Sequence, residues 1–326
     1  MFKYILKRIG LSILLLVAVS LVIYFILRIM PVDFVDMNVD PTKADQEEML
    51  ELQRKELGLE KLEDYPTLWE KGVVILRGYG KWVKSLFILD DKGNITLGKT
   101  FGGDKSVAEL LVQGIPHSFA VAAVATVFEF LIAIPLGITA ATHQYSVRDY
   151  VITVFVMIGI SLPSFFFASI FKKIFAEGLN WFPVSGAGTF RHYILPIFTI
   201  SVLSLGGRMR MTRTNMLEVM NSDYIRTARA KGLKESKVVY KHAFRNTLIP
   251  LVTTLAGLIP ALFSGAIITE QIFGLPGIGS TALEYTNKGD IPFIMGYNMF
   301  LATLSVIGIL LADIMYAVVD PRVKLK

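Results

Sequence analysis

The sequence predicts an all-α polytopic membrane protein: six transmembrane helices, with an insert after the first. Three observations carry that prediction. Of the 326 residues, 53% are hydrophobic and only 18% charged, against about 25% charged in an average soluble domain. The apolar residues run in blocks of about 20, the length that crosses a bilayer core as a helix. The stretch Arg208 to Arg245 is net +7 and 31–116 net −5, an asymmetry that orients the spans by the positive-inside rule.

The first span runs from about Ile9 to Met30, with Ser12, Ser20 and Arg28 as its polar members. Its apolar run is longer than a signal-peptide core and no small-x-small cleavage site follows, so an uncleaved first helix is expected. The second span covers about Phe119 to Ala141, the third about Tyr150 to Phe171 and the fourth about Tyr193 to Met211, where Gly206-Gly207-Arg208 interrupts its end. The fifth covers about Thr247 to Thr269 and the sixth about Phe293 to Val319. The expected partition is residues 1–30 for tail and first helix, 31–116 for an extracytoplasmic insert, 117–320 for the membrane core and 321–326 for a tail.

Charge sets the orientation. Lys3, Lys7 and Arg8 precede the first span, which puts the N-terminus in the cytoplasm. Arg208 to Arg245 holds ten Lys/Arg against three acids, a net of +7, whereas 31–116 holds eleven against sixteen, a net of −5. Six spans then place the basic segment and the Arg322/Lys324/Lys326 tail inside and the acidic segment outside. The overall +6 is largely a topology signal, and nucleic acid is an unnecessary explanation for it.

Within the insert, Thr42 to Leu57 reads as an amphipathic helix, with Thr42 as N-cap and Gly58 as stop. A helical or loop stretch around Tyr65 to Phe87 carries Trp69, Tyr79 and Trp82. These aromatics suit packing of the small domain better than docking at the membrane interface. Gly93-Asn94-Ile95-Thr96-Leu97-Gly98-Lys99-Thr100 matches the phosphate-loop pattern letter for letter. Such a loop needs a feeding strand and an immediate helix, yet Phe101-Gly102-Gly103-Asp104 follows, so a chance match is expected.

There is no Cys, which excludes thiolate catalysis, disulfides and Cys-ligated metal. His117, His143, His192 and His242 fall in different loops, with no i,i+4 pair and no carboxylate cluster, so no metal site is expected. No nucleophile elbow is present. A membrane-embedded enzyme therefore has nothing to work with.

The segment 212–246 is the most informative. Asn221-Ser222-Asp223 offers N-capping residues for a short helix through about Lys231, and Gly232 is placed to stop it. A second short helix is expected from about Glu235 to Phe244, with Pro250 leading into the fifth span. Two such helices form a knob fit for a partner's groove; the blander reading is a basic segment resting on anionic lipid.

DYIRTARAKGL at 223–233, followed by HAFRN at 242–246, resembles the cytoplasmic "EAA" loop of permease subunits in bacterial ABC importers, in the peptide-type branch for oligopeptides, dipeptides and nickel. Arg226, Thr227 and Ala228 stand where the general motif has Glu-Ala-Ala. Further stretches fit that branch in order along the chain: YILKRI, ELGL at 56–59, SLPSFF at 161–166, WFPVSG at 181–186, RMRMTRTNMLEV at 208–219, TEQIFGLPGIG at 269–279 and YAVVDPRVK at 316–324. One departure is Pro31-Val32-Asp33-Phe34, where the branch usually has a Pro-Gly-Asp-Pro-like turn.

The resemblance implies a type I importer permease in a bacterial or archaeal cell membrane, with both termini cytoplasmic. It implies a second homologous permease subunit, two separate ATP-binding subunits that hold the ATP and Mg, and an extracytoplasmic substrate-binding protein. The chain itself would hold no cofactor and hydrolyse nothing. The coupling-loop residues it implies are Asp223, Tyr224, Arg226, Thr227, Ala228, Arg229, Ala230, Lys231, Gly232, His242, Arg245 and Asn246. Transport would proceed by alternating access. Nickel and oligosaccharides are alternatives to peptides. A self-sufficient channel or secondary transporter would show inverted repeats and no docking loop, and no internal repeat is visible.

Charge within a span is costly, which makes each instance a functional candidate. Glu129 reads as a pore acid or, preferentially, as an interhelical hydrogen-bonding group. Asp313 suits a structural role. Ser161 and Pro163 in SLPSFF, and Glu270, Pro276 and Gly277 in TEQIFGLPGIG, are candidates for the path or outer gate; a tight turn needing Gly and Pro explains the latter stretch equally.

Overall fold

The computed structural model describes residues 2–29, 55, 58–60, 62–89, 93–100 and 105–319. The helix expected over Thr42 to Leu57 (Lys55 excepted), the Pro31-Val32-Asp33-Phe34 turn and the basic tail lie outside the described residues. What is described is almost wholly helical. Strand-type pairing among these residues is limited to two isolated antiparallel bridges, Leu89 with Ile95 and Lys99 with Ser106.

In chain order the helices are α1 (Phe2–Ile29), α2 (Leu68–Leu86), α3 (Val107–Thr142), α4 (Val147–Ser161) and α5 (Ser164–Phe171, continued by the π-helical Lys172–Gly178). Then come α6 (Arg191–Met220), α7 (Asp223–Ala230), and α8, which runs as Glu235–Lys237, π-helical Val238–Phe244 and Arg245–Ser264. The last are α9 (Ile267–Phe273), α10 (Ile278–Asn287) and α11 (Ile291–Val319). Among the described residues four helices are long and apolar enough to cross a membrane: α1, α3, α6 and α11. The number rises to six if each of two broken pairs counts as one span.

Four boundaries differ from the expected ones, each for a local reason. α3 begins at Val107 rather than near Phe119, because Ser106 Oγ accepts a hydrogen bond from Glu109 N (3.1 Å) and so caps the helix early. The third span is broken: α4 and α5 meet at 98° across Leu162-Pro163. Proline has no N–H for the helix ladder and biases the preceding residue to extended backbone, and Leu162 sits at φ −86, ψ 131. α6 runs straight through Gly206-Gly207, in place of the expected interruption. The room at Gly206 serves packing instead, since a Cβ there would strike the Ile160 side chain on α4. The fifth span stops at Ser264, because Gly265 takes φ 74.

The chain forms two compact units. One comprises Phe2–Pro116 and Gly277–Val306. Here α2 packs on α1 through Tyr24, Tyr79 and Trp82, with Tyr24 and Trp82 stacked at 5.9 Å. Thr67 and Glu70 form a complete capping box at the start of α2. The close approach is made at Gly78, where a Cβ would fall on the Tyr24 hydroxyl and the Gly58 carbonyl. Tyr24 Oη donates to that same carbonyl (2.9 Å). Of the three aromatics assigned to packing, Tyr79 and Trp82 do pack, but Trp69 is 81% exposed. A side chain forced into such a contact costs about 1–3 kcal/mol. Gly78→Val is therefore expected to lower the thermal midpoint in detergent, followed by Trp fluorescence. Gly80→Ala, with open space around it, should not lower it.

The phosphate-loop look-alike lies in this unit. Thr100 is buried and its hydroxyl donates to Lys105 O (3.2 Å). Among the described residues the next helix starts at Val107.

The other unit comprises His117–Pro276 and the chain from Ile307 onward. Its described residues form three apolar clusters. One joins α3, α5, α6 and α9 around Phe273 and Leu275. A second joins α3, α4 and α6 around Met209. The third holds the hairpin described next.

Candidate functional site

The hairpin is built by α7, a tight stop and the first turns of α8. Ser222 is extended (φ −74, ψ 151) and starts α7. At the other end Gly232 N–H donates to Arg229 O (2.9 Å) and Leu233 N–H to Ala228 O (3.4 Å). These two bonds make a Schellman motif, which places Gly232 at φ 72. A Cβ at Gly232 would meet no neighbouring atom, so glycine is needed there for its backbone alone.

Two kinds of interaction hold the hairpin. On its inner side Ile225, Ala228, Val238, Val239 and Ala243 are buried with Ile138 and Ala141 of α3 and Met216 of α6, and Leu233 packs against them. α7 is thus seated on the ends of two membrane helices. On the outer side Arg229 grips Glu235 with two nitrogens, Nη2 to Oε1 at 2.7 Å and Nε to Oε2 at 3.2 Å, tying α7 to α8. The second short helix expected over Glu235 to Phe244 has no end of its own: its turns run on into Arg245–Ser264.

The expected coupling residues separate by exposure. Asp223, Tyr224, Arg226, Thr227, Arg229, Ala230, Lys231, Gly232, Arg245 and Asn246 are exposed, His242 is half-buried and Ala228 is buried. Ala228 is therefore a packing residue. Sequence reasoning missed Glu235, the partner that fixes Arg229, and the exposed Tyr240 on the second arm.

The Arg229 bond holds the Glu235 carboxyl below its ordinary value of 4.5. A depressed carboxylate adds stability above that value and loses it as pH falls through the lowered one. Both side chains are well exposed, so the gain is under about 1 kcal/mol. Exchange protection of the Gly232 and Leu233 amides, corrected for intrinsic rates, should be flat down to about pH 4.5 and decline below it. Glu235→Gln should remove that decline.

Of the membrane candidates, Glu129, Ser161, Pro163, Glu270 and Gly277 make hydrogen bonds. Glu129 is 6% exposed and accepts from Arg208 Nε (2.7 Å), whose guanidinium also lies over the Phe130 ring. Glu270 is buried and accepts from Ser118 Oγ (2.7 Å) and Ala266 N (3.1 Å). Ser161 closes α4 by donating to Met157 O (2.8 Å), and Pro163 O accepts from the Phe166 and Phe167 amides of α5. Gly274 (φ 61) ends α9, Pro276 is exposed, and the Gly277 carbonyl accepts from Ser280 and Thr281 at the start of α10.

Residues 133–325 match the family described as the binding-protein-dependent transport system inner membrane component, and residues 1–122 match its N-terminal companion. The oligopeptide transport system permease AppB of Bacillus subtilis is 34% identical over 99% of this chain and 100% of its own. The dipeptide transport system permease DppB of the same organism is 37% identical over 68% of this chain and 71% of its own. DppB of Lactococcus lactis is 32% identical over the full length of both. Among solved structures, an inward-facing form of the methionine ABC transporter MetNI aligns at TM-score 0.54 and 18% identity, over 65% of this chain and 97% of the other. That likeness speaks to the fold alone. Taken with the helices long enough to cross a bilayer, these matches show that the chain belongs to the family of inner membrane components of binding-protein-dependent transport systems.

Proposed function

We propose that the chain is the channel-forming subunit of an ATP-driven importer for oligopeptides or dipeptides. The observation that carries this reading is the α7–α8 hairpin. Its apolar side is seated on the ends of α3 and α6, its other side is exposed and basic, and its second arm continues without a break into a long helix. Such an element converts a push from a docked partner into movement of the helices it is seated on. The partners are two ATP-binding subunits, which hold the ATP and Mg, a second homologous permease, and a substrate-binding protein outside. Hydrolysis takes place on the ATP-binding subunits and the chain is not itself an enzyme. Both termini and the hairpin lie in the cytoplasm, residues 31–116 form the outer insert, and solute moves by alternating access. Asp223, Tyr224, Arg226, Thr227, Lys231 and the exposed Arg229–Glu235 pair meet the ATP-binding subunit.

The test is reconstitution of the whole complex in vesicles with a labelled dipeptide and a labelled hexapeptide. Uptake should require ATP, both kinds of partner subunit and the binding protein. Uptake by this chain without any ATP-binding subunit would refute the reading, and uptake of nickel or an oligosaccharide in place of peptide would refute its substrate class.

A further inference from the structure

We propose that Asp149 is a positioning residue for coupling: with Arg213 it clamps the corner between α3 and α4 to the hairpin-bearing end of α6, so that the two move as one body. The proposal rests on the functional reading above and extends it to how movement of the hairpin reaches α4.

The corner is the short connection His143–Ser146. Tyr145 holds φ 63 there, a left-handed conformation that a bulky residue adopts only when its surroundings impose it. Asp149 supplies the constraint. It is 4% exposed, and its Oδ2 accepts from Tyr145 N (3.1 Å). Its own N–H donates to Ser146 Oγ (3.4 Å), and Thr153 Oγ1 donates to Oδ1 (3.4 Å). The remaining capacity of the carboxylate goes to another helix: Arg213 Nε reaches Oδ1 at 2.9 Å and Nη2 reaches Oδ2 at 2.8 Å. A two-pronged guanidinium–carboxylate pair fixes direction as well as distance.

One carboxylate therefore shapes the corner and fastens it to α6. Three residues beyond Arg213, the fully buried Met216 belongs to one apolar cluster with Ile225 and Ala228 of α7 and Ile138 and Ala141 of α3. Clamp and apolar cluster thus join the same three pieces: corner, α6 end and hairpin. α4 also follows α6 farther along, where Gly206 admits Ile160 and Val156. A displacement of the hairpin is carried through α6 into α4 and on to the 98° break at Leu162-Pro163.

A plain structural ion pair would affect how much folded protein is made. A positioning pair affects how much solute moves per ATP. Reconstituted complexes carrying Asp149→Asn should hydrolyse ATP at a basal rate within about twofold of wild type and transport about tenfold less peptide per ATP. The chain has no Cys, so Asp149→Cys with Arg213→Cys creates its only thiol pair. That variant should be equally uncoupled, and bridging it with a short bis-methanethiosulfonate should restore at least half the wild-type ratio. An unchanged ratio in Asp149→Asn, or a bridged pair that stays uncoupled, overturns the proposal; the latter result would mean that the clamp has to open in each cycle. Wild-type complexes without ATP-dependent uptake overturn the functional reading itself, and this proposal with it.

Discussion

Gly232→Val is expected to reduce transport about tenfold while leaving membrane insertion and total protein close to wild type. The residue sits at φ 72 with nothing near its missing Cβ, so the cost is confined to the backbone. A β-branched side chain at such a φ costs about 1–3 kcal/mol. That cost falls on the Schellman bonds from Gly232 and Leu233 that close α7, and α7 then frays where a partner would read it. Gly232→Asn should keep most activity, because Asn tolerates the left-handed region. Uptake assays on the three proteins, normalised to chain in the membrane, check the order Gly, Asn, Val. Equal uptake by all three would show that this turn does not couple.

Glu129→Ala is expected to have the largest effect on stability. It leaves Arg208 in the α3–α6 contact without its carboxylate, and breaking a buried pair from one side costs about 3–5 kcal/mol. The double variant Glu129→Leu with Arg208→Met should recover most of that loss, because well-packed apolar residues replace such pairs with little net change. Thermal unfolding in detergent separates the two. If the double variant is as unstable as the single one, the pair holds more than its own charges, and a path role for Glu129 gains ground.

Much of this architecture is legible along the chain. Apolar block length locates α1, α3, α6 and α11, and the pairing of a short helical run with a following Gly locates α7 and its stop at Gly232. Those are local properties: bilayer thickness and a left-handed φ each leave a mark within a few residues. What is illegible is pairing across the sequence. Asp149 reads as one acid among polar residues between two spans, and its partner lies 64 positions away. Glu235 reads as a helix-start residue, although its carboxylate belongs to Arg229. Gly206-Gly207 reads as an interruption because propensity sees only the lost Cβ; the reason for Gly206 is the Ile160 side chain on another helix. Pro163 is a visible break, yet a count of apolar residues passes straight over it.

Of the ten basic residues from Arg208 to Arg245, Arg208 and Arg213 have two roles. On the orientation proposed above, each counts in the nascent chain toward retention on the cytoplasmic side, for a net of +7 over that stretch. Once the helices assemble, Glu129 and Asp149 arrive from outside the stretch to neutralise Arg208 and Arg213, and the net of +7 is two units smaller. The topogenic charge is used in order: first for orientation, by residues still unpaired, then for cohesion, by the same residues paired. An arginine at 208 or 213 is therefore constrained twice, during insertion and again after folding. The substitution Arg213→Lys would preserve the first role fully, yet lose the planar fork that the second requires.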